Sequence, residues 1–308
     1  MAATTVRPTA AAGIGGGGGR PRKRSPLRWI IPMAPALALL LVFFAGPVLW
    51  SFYTAFTNQA LSGDGAANAH FIGAANFTRL VHDGDFLRSV LLTLIFVVGS
   101  AVIGQNCLGL LLALLMTGRS RVLRSVVSTV VIAAWVMPEI VAAFCWYAFL
   151  NREGSLNSWL SGLGFRQNWL YTAPMFAIIL ANVWRGTAFS MMVYSAAVSD
   201  IPPEVTEAAS IDGASGLRRL RYVTLPLIRR AILTNLMLIT LQTLAVFTTI
   251  YVLTGGGPGT KSQTTPVYMY QQAFKFYDLG YGTAMAVVLL VVGALFSVIY
   301  LHFVQLED

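Results

Sequence analysis

Residues 255–262 read GGGPGTKS. Glycines followed by a lysine and a hydroxyl residue are the parts with which a nucleotide-binding loop cradles phosphates. Its backbone N–H groups face the phosphates, the lysine reaches them, and the hydroxyl holds Mg2+. That pattern needs a glycine directly before the lysine, and Thr260 stands there before Lys261. It also needs a strand before the loop and a helix after it. Other reactive side chains are thinly spread. His70, His82 and His302 are too scattered for a metal or a catalytic base, and Cys107 and Cys145 both fall inside apolar runs, where thiols pack as small hydrophobes. No His, Asp, Glu or Ser cluster signals enzyme chemistry, so neither a catalytic residue nor a metal site is expected. What remains is a pair of charges in apolar surroundings: Glu139 in AAWVMPEIVAAF and Arg185 in LANVWRGTAFS.

Composition dictates the elements that position them. Of 308 residues, 56% are hydrophobic and 11% charged, against about a quarter charged in a soluble domain. Six apolar stretches, roughly 30–52, 88–117, 122–149, 174–198, 228–253 and 282–304, are each long enough to cross a bilayer as helix. They predict an all-α integral membrane fold with six transmembrane helices spanning residues 29–308. Residues 1–28, with AAGIGGGGG followed by RPRKRSPLR, have nothing to bury and read as a disordered basic tail. The apolar run after the tail exceeds a signal core and lacks a convincing cleavage site, so it reads as an uncleaved first span. Fourteen of the 21 lysines and arginines fall in the tail, the connection between spans two and three, and residues 199–230; six fall in the opposite connections, and Arg185 lies within a span. By the positive-inside rule these segments and both termini lie in the cytoplasm of a multi-pass cell-membrane protein. The net charge of +9 is thus a topology signal, with no nucleic-acid groove implied. GGGPGTKS falls on the external side, away from ATP.

Charges inside spans are expensive, so Glu139 and Arg185 either pair with each other, cap broken helix ends, or face a pathway. Pro138 predicts a kink in span three. Arg185 has Asn182 and Trp184 beside it, and an aromatic ring next to amide donors suits a sugar, whose C–H face covers the ring while its hydroxyls take the hydrogen bonds. The candidate pathway residues are Glu139, Asn182, Trp184, Arg185, Gln242 and Tyr251. Asn182 and Gln242 equally suit hydrogen bonds between helices, and Tyr251 an interfacial aromatic belt.

The connection between spans four and five, Ser199 to Arg230, is built for a purpose. Pro202 and Pro203 preset a first helical turn, Glu204 and Glu207 complement the helix dipole, and Gly213 stops the helix, which predicts about ten helical residues. Val205, Ala208, Ala209 and Asp212 share one face, small and nearly flat, that lets another backbone approach. So short a helix needs a partner to be stable.

Glu207-Ala208-Ala209, then Gly213 after three residues, then Val223-Thr224-Leu225-Pro226 after nine, resembles the EAA loop of membrane subunits of ATP-binding-cassette importers. The likeness extends over nearly the whole chain after the tail. It is closest to the carbohydrate-uptake branch, of maltose and glycerol-3-phosphate permease type, and to the first permease of a heterodimeric pair. Phe71-Ile72-Gly73 with Asn76-Phe77, Pro138, Trp184, Ile201-Pro202, Tyr251 to Thr254 and Tyr268 to Phe274 all fit. Two positions depart: Val223 stands for isoleucine, and Thr248 follows Phe247 where the family often has an acidic residue.

The resemblance implies that Glu207, Ala208, Ala209, Asp212, Gly213, Leu225 and Pro226 form a cytoplasmic coupling helix and loop that dock in a cleft of an ATPase. It implies that this chain binds no cofactor, ATP and Mg2+ residing in that partner. It implies two cytoplasmic ATPase subunits, a second homologous permease subunit and an extracytoplasmic substrate-binding protein as partners within the lipid bilayer. The implied activity is import of a sugar or polyol derivative by alternating access, with glycerol-3-phosphate or a glycerophosphodiester as the alternative substrate, which Arg185 would suit. A stand-alone ion-coupled secondary transporter is the competing class. It often carries an inverted repeat, and none relates the first three spans to the last three. Gly255, Gly256, Gly257 and Pro258 then become the external rim of the pathway or a contact for the binding protein, against a purely structural turn.

Overall fold

The computed structural model describes residues 27–164 and 167–305, in two units, 1–49 and 50–308. The expected basic tail lies, as far as residue 26, outside the described residues. In the first unit the helix Leu27–Leu40 runs into a π turn at Leu41–Ala45. It belongs to the span-length apolar segment α1, Met33–Ala55, whose most apolar stretch is unburied, as expected of a helix surrounded by lipid, while Thr54 and Ala55 at its end are buried.

The second unit contains α2 (Gly84–Met116), α3 (Arg121–Val136), α4 (Glu139–Leu150), α5 (Pro174–Ser199), α6 (Pro203–Ile211), α7 (Arg229–Leu244), α8 (Thr248–Thr254), α9 (Thr265–Tyr270) and α10 (Leu279–Gln305). Among the described residues there is no strand. Among the described residues four helices, α1, α2, α5 and α10, are long and apolar enough to cross a membrane, and up to six spans result if each of two bent helix pairs counts as one.

Two of the six expected spans therefore need correction. The third is no continuous helix: α3 and the helical segment that begins with α4 meet at 104°. Pro138 is the cause, because the residue before a proline is driven from helical to extended backbone, and Met137 sits at ψ 131°. The fifth, expected as one helix over 228–253, stops at Leu244 and restarts at Thr248. No proline or glycine stands in this break, and what holds it is tertiary, as described below.

The most extensive helix pairing joins α2 to α5. Within α2, residues Val98–Gln105 are π-helical, with i→i+5 hydrogen bonds that bring residues five apart onto one side. Gly99, Gly104 and Gly109 recur at that interval and lie against Ile179, Val183 and Ser190 of α5; a Cβ on Gly109 would also come within 2.9 Å of the Met191 amide nitrogen. Small residues let membrane helices approach closely where there is no hydrophobic force between them.

Hydrogen bonds then fasten α7 to this pair. Asn235 Nδ2 lies 2.9 Å from Asn106 Oδ1, 3.0 Å from Ser190 Oγ and 3.0 Å from the Tyr194 hydroxyl, which itself donates to Asn106. All four residues are buried. At the opposite end of the bundle from α6, Asp83 caps α2 by accepting from the amides of Asp85 (2.9 Å) and Phe86 (3.2 Å). Its other oxygen accepts from the hydroxyls of Tyr268 (2.7 Å) and Tyr281 (2.5 Å), tying α2 to α9 and α10. Burial pushes the Asp83 carboxyl upward, and the four hydrogen bonds outweigh it, holding the group below its ordinary value.

Candidate functional site

The two helix breaks face each other across a cavity of about 130 Å³ lined by Gln105, Glu139, Asn182, Arg185, Gln242 and Thr243, among others. Glu139 opens α4, and its Oε1 accepts from the backbone N–H (3.2 Å) and the hydroxyl (3.0 Å) of Thr249 in the first turn of α8. A helix start leaves amide donors unpaired and carries partial positive charge. The carboxylate therefore satisfies the new start of span five from a neighbouring span, which is how the chain breaks there without proline or glycine. Of the roles expected for Glu139, the structure shows the helix cap; among the described residues it forms no ion pair with Arg185. The departure at Thr248 acquires a physical context too: the carboxylate beside this helix start comes from span three.

Asn182 binds helices together and lines the cavity at once, donating from Nδ2 to Ser100 Oγ at 3.0 Å. Gln105 lies across α5 and donates to the Asn182 carbonyl at 3.3 Å. Gly186 makes that possible, since a Cβ there would overlap the Gln105 amide. Arg185 is half-buried, and its buried Nε–H meets no acceptor among the described residues. One water needs roughly 10–15 Å³, so the space admits a cluster of waters or the polar end of a small solute.

Four of the six candidate pathway residues, Glu139, Asn182, Arg185 and Gln242, thus meet in one cavity. The two aromatics stand apart. Trp184 packs edge-on against Trp146, with ring centroids 5.9 Å apart. Tyr251 stacks on Phe247 (5.1 Å) and meets Tyr270 edge-on (5.2 Å), with the Lys275 ammonium 5.4 Å from its centroid. The aromatic neighbour of Arg185 in sequence is therefore not its neighbour in the cavity. Gln105, Asn106, Ser190, Tyr194, Asn235 and Thr249 went unnoticed in the sequence. The consecutive amides Gln105-Asn106 inside an apolar run were the available signal.

GGGPGTKS has no strand before it and offers no phosphate cradle. Gly255 ends α8 in the left-handed region at φ +59°, and its N–H bonds back to Ile250 and Tyr251. The amides of Lys261 and Ser262 donate to the carbonyls of Pro258 and Gly256. Ser262 is fully buried, with Oγ 2.7 Å from the Gly257 carbonyl and 2.8 Å from Thr254 Oγ1. Of the rim candidates Gly256 is buried, Gly255, Gly257 and Pro258 are half-buried, and the loop turns Gly259 and Lys261 outward.

The helix α6 has the expected place and nearly the expected length. Pro202 precedes it, Pro203 opens it, and Gly213 follows its end at φ +75°, a conformation that costs any residue with a Cβ. None of its residues is buried. Val205, Glu207, Ala208 and Asp212 are exposed, and Ala209 is half-buried. Thr206 and Pro203 face a cleft shared with Leu114, Thr117 and Thr224, and Arg219 donates to Ser210 Oγ at 3.3 Å. Leu225 and Pro226 lie in the helical segment Gly216–Leu227, which meets α7 at 69°. From that corner α7 runs without interruption to Gln242 and Thr243 in the cavity.

Residues 105–306, which contain the cavity, both breaks and α6, match the family described as the binding-protein-dependent transport system inner membrane component. The chain belongs to this family. The trehalose/maltose transport system permease MalF of Thermococcus litoralis is 35% identical over 274 residues, covering 87% of this permease and 90% of the relative. The sulfoquinovosyl glycerol transport system permease SmoG of Agrobacterium fabrum is 34% identical, covering 91% of each chain. Among solved structures, a bacterial ABC transporter that imports the acidic polysaccharide alginate superposes with a TM-score of 0.77 at 25% identity, over 91% of this permease and 95% of that chain. The protein is accordingly a membrane-embedded importer permease, of a family whose members are transport subunits and not themselves enzymes. Membership also sets aside the stand-alone ion-coupled transporter.

Proposed function

We propose that this permease forms one half of the translocation path of an ATP-driven importer for a sugar or polyol derivative, entering the cytoplasm by alternating access. The observation that carries the reading is the continuous α7. It joins a polar cavity set between two helix breaks to the corner beside a bare coupling helix. Movement of α6 by a partner would turn α7 and with it the break at residues 245–247, opening or closing the cavity. ATP and Mg2+ belong to two ATPase subunits that seat Val205, Ala208, Ala209 and Asp212, with Glu207 and Gly213 fixing the helix end. A different permease chain completes the path, an extracytoplasmic binding protein delivers the solute, and both termini lie in the cytoplasm. The loop Gly255–Pro258 then stands at the external rim. The relatives and solved structure, named for trehalose/maltose, sulfoquinovosyl glycerol and alginate, support a carbohydrate.

The test is co-purification of ATPase activity with the permease, and uptake measured with and without ATP. Substituting Glu207→Ala or Gly213→Pro is expected to remove ATPase association and uptake together. Uptake that continues in ATP-depleted vesicles under an ion gradient would overturn the reading.

A further inference from the structure

The cavity between the helix breaks contains two side chains of opposite charge that are not equivalent. Glu139 is compensated: Thr249 donates two hydrogen bonds to it, and it sits at the amino ends of both α4 and α8, where partial positive charge favours a carboxylate. Arg185 has no such match. Its buried Nε–H meets no acceptor, and the remaining polar lining comes from the neutral amides of Gln105, Asn182 and Gln242 and the hydroxyl of Thr243. A buried donor without an acceptor is unfavourable, and a guanidinium at membrane depth more so, unless something else binds it. The planar fork of N–H donors fits a carboxylate, phosphate or sulfonate in bidentate fashion, better than it fits a single hydroxyl. The cavity is also small enough to take the charged end of a solute while the rest lies outside.

From this we infer that the solute passing through the cavity carries an anionic group, and that Arg185 is the residue that selects it. The substrate class is an acidic saccharide or polyol derivative: a uronate, a phosphate ester or a sulfonate. The neutral amides hold hydroxyls beside the charged group. This inference rests on the proposed import function and narrows it.

Matched probes differing only in charge test it: glucuronate and glucose 6-phosphate against glucose. Binding to the purified complex with its ATPases is read from the fluorescence of Trp135, which lines the cavity, isolated by difference from a Trp135→Phe variant. At least one charged probe is expected to bind about tenfold or more tighter than glucose, a difference of about 1.4 kcal/mol. In Arg185→Gln that preference should fall to within about twofold, and Arg185→Lys should keep part of it. ATPase association, unchanged in both variants, reports that the permease still assembles. No preference for the charged probes in the unaltered protein, or a preference that survives Arg185→Gln, overturns the inference. Either result leaves the importer reading intact, since that stands or falls on ATP-dependent uptake.

Discussion

The helix α6 buries none of its nine residues, whereas Asn182, Gln105 and Asn235 around the cavity and its supporting knot are 7%, 3% and 0% exposed. One region is held by local rules, two prolines at its start and a left-handed glycine after its end, and presents a free surface. The other is assembled from α2, α3, α4, α5, α7 and α8, with most of its polar atoms matched across helices. The contrast teaches where function and stability separate. Substitutions on α6 should change what the protein does with little effect on whether it folds, while substitutions around the cavity should change both.

The largest effect is expected at Gly109, where α2 and α5 come closest. Gly109→Leu forces a side chain against the Met191 backbone, and overpacking of this kind costs about 3 kcal/mol or more. Size-exclusion profiles of the solubilised variant should show little monodisperse permease. Recovery with an unchanged melting temperature would mean the two helices can part freely, which would break the contrast at its rigid end.

Next comes Glu139. Glu139→Ala leaves the Thr249 amide and hydroxyl without their acceptor, a loss of about 2–3 kcal/mol, while Glu139→Gln keeps an acceptor and loses only charge, about 1 kcal/mol. Thermal melts of the two variants check the order, and equal melting temperatures would show that Glu139 does not hold the break in span five.

On the exposed side, Gly213→Ala places a Cβ at φ +75°, which costs about 1 kcal/mol. Its melting temperature should fall only slightly while ATPase association drops steeply. Two effects of similar size would erase the distinction between the regions.

The smallest effect is one of pH. Asp83 is held below its ordinary value in the folded protein, so its four hydrogen bonds add stability above the unfolded-state value near 4, and that stability is lost as pH falls through the lower folded-state value. The melting temperature should therefore decline on acidification below about pH 4. Asp83→Asn should flatten part of that decline, and parallel curves would remove Asp83 as its source.

Legibility in the sequence followed the same division. The start and stop of α6 were readable because Pro203 and Gly213 act on their own backbone. The break at Pro138 was readable as a kink for the same reason, though its 104° turn was not, because the angle depends on what α4 packs against. The break at residues 245–247 left no local mark. It exists because a carboxylate from another span sits beside it, and no window of LQTLAVFTTI contains that carboxylate. Glu139, Asn182, Arg185 and Gln242 were selected because polar residues in apolar runs are conspicuous. Trp184 was grouped with them by adjacency, which on a helix is a poor guide: residues one apart point about 100° away from each other.

The π stretch in α2 carries a consequence for how the gene tolerates lesions. In a regular helix, losing one codon swings everything downstream by about 100° about the axis. Within Val98–Gln105 the extra span of each i→i+5 turn can be given up instead, closing to i→i+4 and absorbing the lost residue. Asn106 would then keep facing Asn235 after a single deletion there, whereas the same deletion at residues 90–95 would turn it away. A deletion scan of α2, read as yield of folded permease, should show one tolerant window, and its position would mark where the helix stores slack.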